Sequence, residues 1–413
     1  MTAPPVAATR TWPELAEPPA TLRTRVAASV VEQLLTRVAS RYGVRVVLPG
    51  QPVPADDAPV LVLHRPEEFY RRTGRDLLIG FGESYMTGAW DSPDLARLLT
   101  VLARDIGTLV PERLQRWRRL YVARHPRAHR NTVDNSRSNI SHHYDLSNEL
   151  FATFLDETMT YSSALFAQDP PGDVTRGDLA EAQLRKIDRL LDETRVGPGS
   201  RVLEIGTGWG ELAVRAAARG AAVTSVTLSA EQQSLARERI AAAGLADRVE
   251  VRLTDYREVR GSFDAVVSVE MIEAVGHEYL PSYFRTLHDR LEPGGRAGIQ
   301  AILMPHDRML ATLGTHTWIH RYIFPGGFLP STVLLDEVSR AAGLREVSSR
   351  SFGRHYAETL RLWDERFLAA DVEALGFDEV FRRMWHFYLT YSRAGFASGY
   401  LDVSQLVYQR ERG

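Results

Sequence analysis

The sequence predicts a Rossmann-like, doubly wound α/β fold with a mostly parallel sheet and a smaller mixed α/β domain in front of it. From about residue 180, short apolar runs suited to buried strands alternate with segments of helical periodicity. The first of these runs ends in a glycine-rich turn that leads directly into a predicted helix. Such alternation is typical of parallel sheets covered by helices on both faces, with ligands at the carboxyl ends of the strands.

The periodicity also predicts the individual elements. Ahead of the sheet, a helix from Leu22, strands at 44–48 and 60–63, and a helix capped by Asp91 or Ser92 form the small unit. The sheet segments alternate between strand and helix, in the order strand 201–205, helix 210–219, strand 222–226, helix 230–243, strands 249–253 and 265–269, helix 278–291 and strand 296–303. Residues 305–395 are predicted to add aromatic-rich, largely helical material around the carboxyl edge.

These patterns divide the 413-residue chain into four parts. Residues 1–20, rich in Pro and Ala, are predicted to form a loose arm, and residues 21–112 a small N-terminal α/β domain. Residues 113–140 form a basic linker or helix. Residues 141–413 form the ligand-binding domain, and the chain is long enough for two hydrophobic cores.

Composition excludes several classes of protein. With no cysteine, the chain has no disulfide, thiolate zinc site or cysteine nucleophile, and we predict no metal site. A formal net charge of −2 gives no global attraction to nucleic acid. No run approaches the roughly 20 apolar residues of a membrane span, and the N-terminus lacks the pattern of a signal peptide. We therefore expect a cytoplasmic protein.

One stretch of the chain is strongly basic. Between Arg113 and Arg137 there are eight arginines, interleaved with Trp117 and Tyr121 and opposed only by Asp134. One interpretation is a solvated helix face and linker; the other is peripheral contact with the anionic lipids of a membrane. Nucleic acid is a weaker alternative because the rest of the chain does not continue the basic patch.

The glycine turn spans residues 202–210 (VLEIGTGWG). Glycines adopt backbone angles that other residues avoid, and they let a ligand reach the main-chain N–H groups. A dinucleotide fingerprint has its third glycine one place later, where this chain has Glu211. The spacing therefore disfavours NAD and FAD. An acidic residue followed by G-x-G-x-G is instead the pattern of S-adenosylmethionine methyltransferases of the Rossmann-like class I fold.

The ends of the next two strands support this cofactor. Thr227, Ser229 and Gln232 follow the second strand, although helix capping is an equal alternative for Thr227 and Ser229. Asp255 and Tyr256 follow the third strand, where an Asp can accept the adenine amino group. The Asn/Asp-Pro-Pro-aromatic turn of base-methylating enzymes is absent after the fourth strand. The predicted cofactor contacts from these strands are Glu204, Gly206, Gly208, Gly210, Thr227, Ser229, Gln232, Asp255 and Tyr256.

From about residue 75 to its C-terminus, the chain resembles the cyclopropane-fatty-acid synthase and mycolic-acid methyltransferase family. The resemblance implies methyl transfer from S-adenosylmethionine to the cis double bond of an acyl chain, usually within a phospholipid, with Tyr161 and Ser162 as further cofactor contacts. Besides the glycine turn, the segments that carry it are 142–151 (HHYDLSNELF), 154–162 (FLDETMTYS), 228–232 (LSAEQ), 273–276 (EAVG), 322–327 (YIFPGG) and 352–356 (FGRHY).

The reaction that the resemblance implies needs a dry pocket and a base. An alkene is a poor nucleophile, and its attack on the sulfonium methyl produces a carbocation that aromatic faces can stabilise. Loss of a proton directly from the new methyl closes a cyclopropane ring, whereas loss after a hydride shift leaves an exocyclic methylene. The available aromatic side chains, at least half of which we expect to be core or tunnel lining, are Tyr161, Trp318, Tyr322, Phe324, Tyr356, Trp385 and Tyr388.

Cyclopropane synthases hold a bicarbonate base through Cys, Glu, His and Tyr side chains. The matching residues are Ser163, Glu273, Gln300 and Tyr356, so two of the four side chains differ and bicarbonate is in doubt. We predict that a protein carboxylate acts instead. Glu149 is the first candidate because it belongs to the helix that covers the active site in the family, and Glu273 is the second. Alternatively, Glu149 is a carboxylate on the helix surface and Glu273 is a structural hydrogen-bond acceptor. A working base would be desolvated.

The product follows from a finer resemblance. Segments 80–86 (GFGESYM) and 161–166 (YSSALF) look like the actinobacterial branch that makes 10-methyl, tuberculostearic-type fatty acids. The methyltransferase of that branch produces a 10-methylene acyl chain, which a separate flavin- and NADPH-dependent reductase saturates. Cyclopropane formation on the same substrate is the alternative. A small-molecule methyltransferase and a non-catalytic lipid-binding subunit also stay open, as does assembly into a homo-oligomer.

Overall fold

The computed structural model describes residues 12–19, 21–55, 57–104 and 147–412. They form two compact units, each discontinuous in sequence. The first unit combines described residues up to 104 with Gly314–Ile323 and Phe367–Tyr400; the second combines residues 147–313 with Phe324–Arg366 and the C-terminal segment from Leu401. The sequence division instead assigned Gly314–Ile323 and Phe367–Tyr400 to the ligand-binding domain. The basic stretch Arg113 to Arg137 lies outside the described residues.

The described residues contain ten strands and fourteen α-helices. The strands are β1 (Arg45–Val47), β2 (Val60–Leu63), β3 (Trp90–Asp91), β4 (Arg201–Ile205), β5 (Ala222–Thr227), β6 (Val249–Leu253), β7 (Phe263–Val269), β8 (Leu291–Leu303), β9 (Leu344–Ser351) and β10 (Asp402–Arg410). The helices are α1 (Leu22–Tyr42), α2 (Pro66–Asp76), α3 (Leu78–Met86), α4 (Leu95–Ala103), α5 (Asn148–Phe154), α6 (Leu179–Glu193), α7 (Glu211–Ala218), α8 (Ala230–Ala242), α9 (Leu280–Arg290), α10 (His306–Thr312), α11 (Trp318–Tyr322), α12 (Thr332–Ala341), α13 (Gly353–Ala369) and α14 (Glu379–Ala397).

The first unit has a three-stranded sheet in the order β1-β2-β3, with β1 parallel and β3 antiparallel to β2. The predicted cap of the following helix is wrong. Asp91 pairs in β3, and α4 begins later, where the Asp94 side chain accepts a hydrogen bond from the Arg97 N–H at 2.9 Å. Pairing with β2 keeps Asp91 extended, and its side chain accepts the Ser92 N–H at 2.8 Å, so neither predicted residue caps the helix and the next carboxylate, Asp94, does.

A buried carboxylate ties helix α11 to helix α3 within this first unit. Glu83 is fully buried, and it accepts a hydrogen bond from the Tyr322 hydroxyl at 2.9 Å while Arg321 lies 3.2 Å away. The Trp318 ring packs so closely on Gly82 that a Cβ there would lie 2.5 Å from the indole. The aromatic-rich segment around Tyr322 is therefore a structural part of this unit.

The second unit has a seven-stranded sheet in the order β6-β5-β4-β7-β8-β10-β9. Strands β4 to β8 pair in parallel, and β10 lies antiparallel between β8 and β9. The predicted doubly wound, mostly parallel fold is confirmed. Strand β8 begins at Leu291 rather than at Arg296, and β9 lies within the region predicted to be largely helical. Its residues are mostly polar and partly exposed, which hides a strand from a search for apolar runs.

Two hydrophobic layers cover the parallel strands. Because successive strand side chains point to opposite faces, Val202 packs with the layer under α6 to α8, whereas Leu203 packs with the layer under α9 and α12. Burial on both faces leaves the strand ends as the places where polar side chains can converge. Among the described residues, no helix is long and apolar enough to cross a membrane.

Candidate active site

The glycine turn follows β4 and requires its glycines for different reasons. Gly206 has φ 96°, and a Cβ there would lie 2.3 Å from the Cγ of Met271. Gly208 has φ 51° with nothing within 4 Å of a Cβ, so its main chain is open to a ligand. Helix α7 begins at Glu211, and the amides of its first turn lie beside the open turn. This geometry suits a nucleoside ligand that approaches the backbone closely.

Glu204 lies beneath the turn. Its side chain is 2 % exposed and accepts a hydrogen bond from the Ser225 hydroxyl, which also bonds the Thr207 hydroxyl at 2.7 Å. Burial raises the pKa of Glu204 to about 8, against the opposing effect of the Ser225 hydrogen bond. The neutral acid therefore holds the base of the turn together near neutral pH. Direct contact between Glu204 and a cofactor stays a prediction.

The polar residues after β5 serve the start of helix α8. Ser229 caps that helix by accepting the Gln232 N–H at 3.2 Å, so the capping interpretation holds for this residue. Thr227 donates from its hydroxyl to the Gln232 side-chain oxygen at 3.0 Å. All three side chains are buried beside the turn, where cofactor contact stays a prediction.

Asp255 and Tyr256 lie after β6. Both Asp255 oxygens face Arg257, whose Nε and Nη2 donate at 2.8 and 2.6 Å, and Asp255 also accepts the Arg257 N–H. Each carboxylate oxygen can accept more than one hydrogen bond, so the adenine contact stays a prediction. Burial raises the pKa of Tyr256 to about 12, and its hydroxyl is therefore neutral.

Tyr161 and Ser162 lie in the same unit as the glycine turn. The Tyr161 ring packs against the rings of Phe151 and Trp363, with both centroid distances 5.2 Å. Ser162 accepts a hydrogen bond at 2.6 Å from Lys186, the only lysine of the chain. Burial lowers the pKa of Lys186 to about 8, so much of its positive charge persists at neutral pH. The predicted cofactor contacts of Tyr161 and Ser162 stay predictions.

Three of the four residues expected around the base meet on a carboxylate that the sequence analysis missed. The Ser163 N–H and the Gln300 Nε2 donate to Oε1 of Glu270 at 2.9 and 2.8 Å. The Tyr356 hydroxyl donates to Oε2 at 2.7 Å. Glu270 directly follows β7, at the same edge as Glu204 and the glycine turn. That position after the fourth parallel strand was the signal available in the sequence.

Glu273 is close to Glu270 in the sequence but has different hydrogen-bond partners. Its Oε1 accepts the Ile302 N–H at 2.6 Å, and in the described part of the chain its buried Oε2 has no hydrogen-bond partner. Burial and, second, the negative charge of Glu270 raise the pKa of Glu273 to about 8. Glu273 is therefore mainly neutral at pH 7, and its role as a base stays a prediction.

Glu149 lies at the start of α5, after the cap residue Ser147. Helix α5 is tied to the glycine turn because Trp209 Nε1 donates to Asn148 Oδ1 at 2.7 Å. Glu149 itself is exposed, and hydrogen bonds from its own N–H and from Ser147 lower its pKa. Its exposure agrees with the alternative of a surface carboxylate. Its assignment as the base stays a prediction.

The aromatic residues proposed for cation stabilisation divide between the two units. Tyr161, Phe324 and Tyr356 belong to the second unit, which contains the glycine turn. Those of the first unit are Trp318, Tyr322, Trp385 and Tyr388. Trp318 packs on Phe387 there, which agrees with the expectation that many of these rings are core.

The fold and the glycine turn define a class I S-adenosylmethionine-dependent methyltransferase. A family model described as mycolic acid cyclopropane synthetase matches residues 131–406, and the chain belongs to this family. The structure is similar to that of mycolic acid cyclopropane synthase CmaA1 complexed with S-adenosylhomocysteine and CTAB. The TM-score is 0.60 at 31% identity, covering 66% of this chain and 98% of the other.

Two curated relatives extend over most of the chain. Tuberculostearic acid methyltransferase UfaA1 of Mycobacterium tuberculosis is 54% identical over 97% of this chain and 95% of its own length. Cyclopropane-fatty-acyl-phospholipid synthase of Escherichia coli is 34% identical over 86% of this chain and 88% of its own. The protein is therefore a transferase of the fatty-acyl-modifying kind, with S-adenosylmethionine as its cofactor.

The glycine turn can be tested with Gly206→Ala. The substitution places a Cβ against Met271 in a left-handed backbone, so we expect a loss of about 3 kcal/mol in the free energy of unfolding and at least a tenfold loss of S-adenosylhomocysteine affinity. Denaturant titration and calorimetry measure both quantities. Gly261→Ala is the matched control, because its φ is 93° with nothing within 4 Å of a Cβ. Equal losses in both variants would contradict the role of the Met271 contact.

The pKa of Glu204 predicts a pH dependence of stability. Because the folded-state pKa of about 8 lies above the unfolded value of 4.5, folded protein binds more protons in between. The stability contributed by neutral Glu204 is therefore complete below pH 4.5 and is lost as the pH rises through about 8. Glu204→Gln should abolish this contribution. Between pH 5 and 8.5 the free energy of unfolding of the wild type should therefore fall by about 4 kcal/mol more than that of the variant. Parallel pH profiles in urea titrations would contradict this assignment.

Proposed function

We propose that this protein transfers a methyl group from S-adenosylmethionine to the cis double bond of an oleoyl-type acyl chain in a phospholipid and leaves a 10-methylene chain. The observation that carries the proposal is the 54% identity to a tuberculostearic acid methyltransferase, which extends over 97% of this chain. That coverage includes the N-terminal unit as well as the methyltransferase sheet.

The site chemistry is compatible with a carbocation. Ser163, Gln300 and Tyr356 are buried and direct their donors to Glu270, so the oxygens of a carboxyl group are held next to the cofactor turn. Oriented oxygen dipoles in a water-poor site stabilise positive charge more strongly than bulk water does. When bound, S-adenosylmethionine supplies the electrophilic methyl group.

The alternative product is a cyclopropane ring on the same acyl chain. The family description and the Escherichia coli relative favour this alternative. It differs from the 10-methylene reaction only after methyl transfer, because the ring forms without a hydride shift. The 54% identity to a tuberculostearic acid methyltransferase supports the 10-methylene product.

Two further parts of the proposal concern the surroundings of the enzyme. The glycine turn lacks dinucleotide spacing, so saturation of a methylene product would require a separate flavin- and NADPH-dependent reductase. The arginines between Arg113 and Arg137 would hold the protein at the inner face of the cell membrane, where its phospholipid substrate lies.

Isotopic labelling distinguishes the two products, which have the same mass. Purified protein is incubated with S-adenosylmethionine and vesicles whose oleoyl chains carry deuterium on both alkene carbons. We expect a 10-methylene product with both deuterium atoms on the neighbouring carbon, because one migrates in the hydride shift. Ozonolysis and mass spectrometry locate them. One deuterium atom on each original alkene carbon, in a product resistant to ozone, would establish the ring instead. Absence of methyl transfer would reject the substrate.

The membrane contact predicts an effect of charge removal. Arg118→Gln/Arg119→Gln should bind vesicles containing anionic phospholipid roughly 30-fold more weakly, since each arginine near such a surface contributes about 1 kcal/mol. Cosedimentation at low and high salt measures this loss. The matched control is Arg340→Gln/Arg345→Gln, which removes two exposed arginines elsewhere. Equal binding of both double variants to anionic vesicles would show that the basic stretch is only a solvated segment.

A further inference from the structure

Glu270 has an unusual backbone for its residue type. Its φ is 50°, in the left-handed region that side chains other than Asn, Asp and Gly rarely adopt. The conformation is held because the Glu270 N–H donates to the Gln300 carbonyl at 2.8 Å, across the edge of β7 and β8. Such strained residues cluster at functional sites, where the surrounding structure maintains them. The strained backbone therefore marks Glu270 as a candidate functional residue.

A buried network of three donors converges on the Glu270 carboxylate. Ser163 and Gln300 are fully buried, Tyr356 is 6 % exposed, and Glu270 as a residue is partly exposed. The three donors come from the loop after α5, from β8 and from α13. Three separate segments therefore hold both oxygens of one carboxylate in a fixed orientation.

The orientation of the Gln300 amide follows from its neighbours. Arg189 can only donate, so Gln405 Oε1 accepts its hydrogen bond at 2.7 Å. The Gln405 NH₂ group then donates to Gln300 Oε1 at 3.1 Å, and Gln300 must present its own NH₂ group to Glu270. Arg189 and Gln405 thus act as positioning residues. The chain of hydrogen bonds presents a donor to Glu270 and thereby favours its ionised form.

The positive charge near Glu270 also favours its ionised form. The positive charge of Lys186 opposes the effect of burial, which raises the pKa of Glu270. The neighbouring Glu273 is shifted towards neutrality, in part by the charge of Glu270. The hydrogen bonds from Ser163, Gln300 and Tyr356 act in the same direction as Lys186 and favour the ionised form of Glu270, whereas Glu273 accepts the Ile302 N–H.

Glu270 also lies beside the cofactor turn. Met271, the next residue, packs directly on Gly206, and Ser268 donates from its hydroxyl to the Ile205 carbonyl at 3.1 Å. The carboxylate is thereby placed at the shared carboxyl edge of β4 and β7, where ligands of such sheets bind.

We propose that Glu270 is the proton acceptor of the methyl-transfer reaction, a carboxylate built into the chain that makes a free bicarbonate ion unnecessary. This proposal rests on the proposed function. It assigns to Glu270 the role that the sequence analysis predicted for Glu149. Ser163, Gln300 and Tyr356, which match the bicarbonate cage of cyclopropane synthases, are positioning residues for Glu270.

The step balances without another reagent. The π electrons of the acyl double bond form the new bond to the methyl carbon, and the electron pair of the broken sulfur–methyl bond stays on sulfur. A hydride shift moves the positive charge to the methyl-bearing carbon. A C–H bond of the new methyl then breaks, its electrons form the methylene double bond, and its proton passes to Glu270. The proton is released to solvent between turnovers.

The test compares Glu270→Gln with the wild type in buffer freed of carbon dioxide and bicarbonate. Wild-type turnover should not depend on added bicarbonate. Glu270→Gln should lose at least about 100-fold in turnover, the usual effect of removing a positioned base, while S-adenosylhomocysteine binding measured by calorimetry changes by less than about threefold. Glu337→Gln, which alters an exposed carboxyl on α12, is the control and should keep wild-type turnover.

A second variant removes the side chain while preserving the backbone. Glycine adopts φ 50° without strain, so Glu270→Gly should fold and leave room for a small carboxylate. Formate, acetate or bicarbonate should raise the turnover of Glu270→Gly at least tenfold. None of them should raise the turnover of Glu270→Gln, because its side chain still fills the site. Rescue would also exclude a folding defect as the cause of inactivity.

Several outcomes would overturn the proposal. These are a bicarbonate-dependent wild type, a Glu270→Gln variant with near-normal turnover, or a Glu270→Gly variant that no carboxylate restores. Glu149→Gln and Glu273→Gln are assayed in parallel, and a loss confined to either would assign the base to that residue. A wild type that transfers no methyl group to oleoyl phospholipid contradicts the proposed function itself. An active wild type with an active Glu270→Gln contradicts only the role of Glu270.

Discussion

The burial of both faces of the parallel sheet is the constraint on which the rest of the second unit depends. Strands β4 to β8 have apolar layers on either side, so their polar residues are confined to the strand ends. Because parallel strands point the same way, the residues after β4 and β7 lie at one edge. The glycine turn and Glu270 are neighbours for this reason. The same burial places Glu204 in a low-dielectric environment and raises its pKa.

Hydrogen-bond direction determines how these buried carboxyls differ. Burial raises the pKa of both Glu204 and Glu270. Among the described residues, only the Ser225 hydroxyl opposes this effect at Glu204, whereas three hydrogen-bond donors and the positive charge of Lys186 oppose it at Glu270. The Gln300 donor is oriented through Gln405 by Arg189, whose guanidinium can donate hydrogen bonds but cannot accept them.

Sequence patterns predicted the sheet and its glycine turn but not all of the site. Strands β4 and β7 contain buried apolar runs that a periodic pattern reveals. The two-residue β3 and the polar β9 lack such a run and form through pairing with β2 and β10. Capping positions were predicted only to within a few residues, because pairing of Asp91 in β3 moved the helix start to Asp94. The sequence left open whether Glu149 is a desolvated base or a surface carboxylate, because a periodic pattern does not specify which segments pack over a helix end, and the structure shows this residue exposed.

By itself, the sequence determined the fold class, the spacing of the glycine turn and hence the cofactor class, since these depend on local backbone requirements and on periodicity. The family resemblance matched Ser163, Glu273, Gln300 and Tyr356 to the bicarbonate cage of cyclopropane synthases. Only the tertiary structure decided that the Ser163 N–H and the Gln300 and Tyr356 side chains contact the carboxylate of Glu270. Ser163 and Tyr356 lie far from Glu270 along the chain, and the orientation of the Gln300 amide depends on Gln405 of the neighbouring strand. Pairing between distant segments leaves no local pattern, because it is the packing of the sheet that creates the contact.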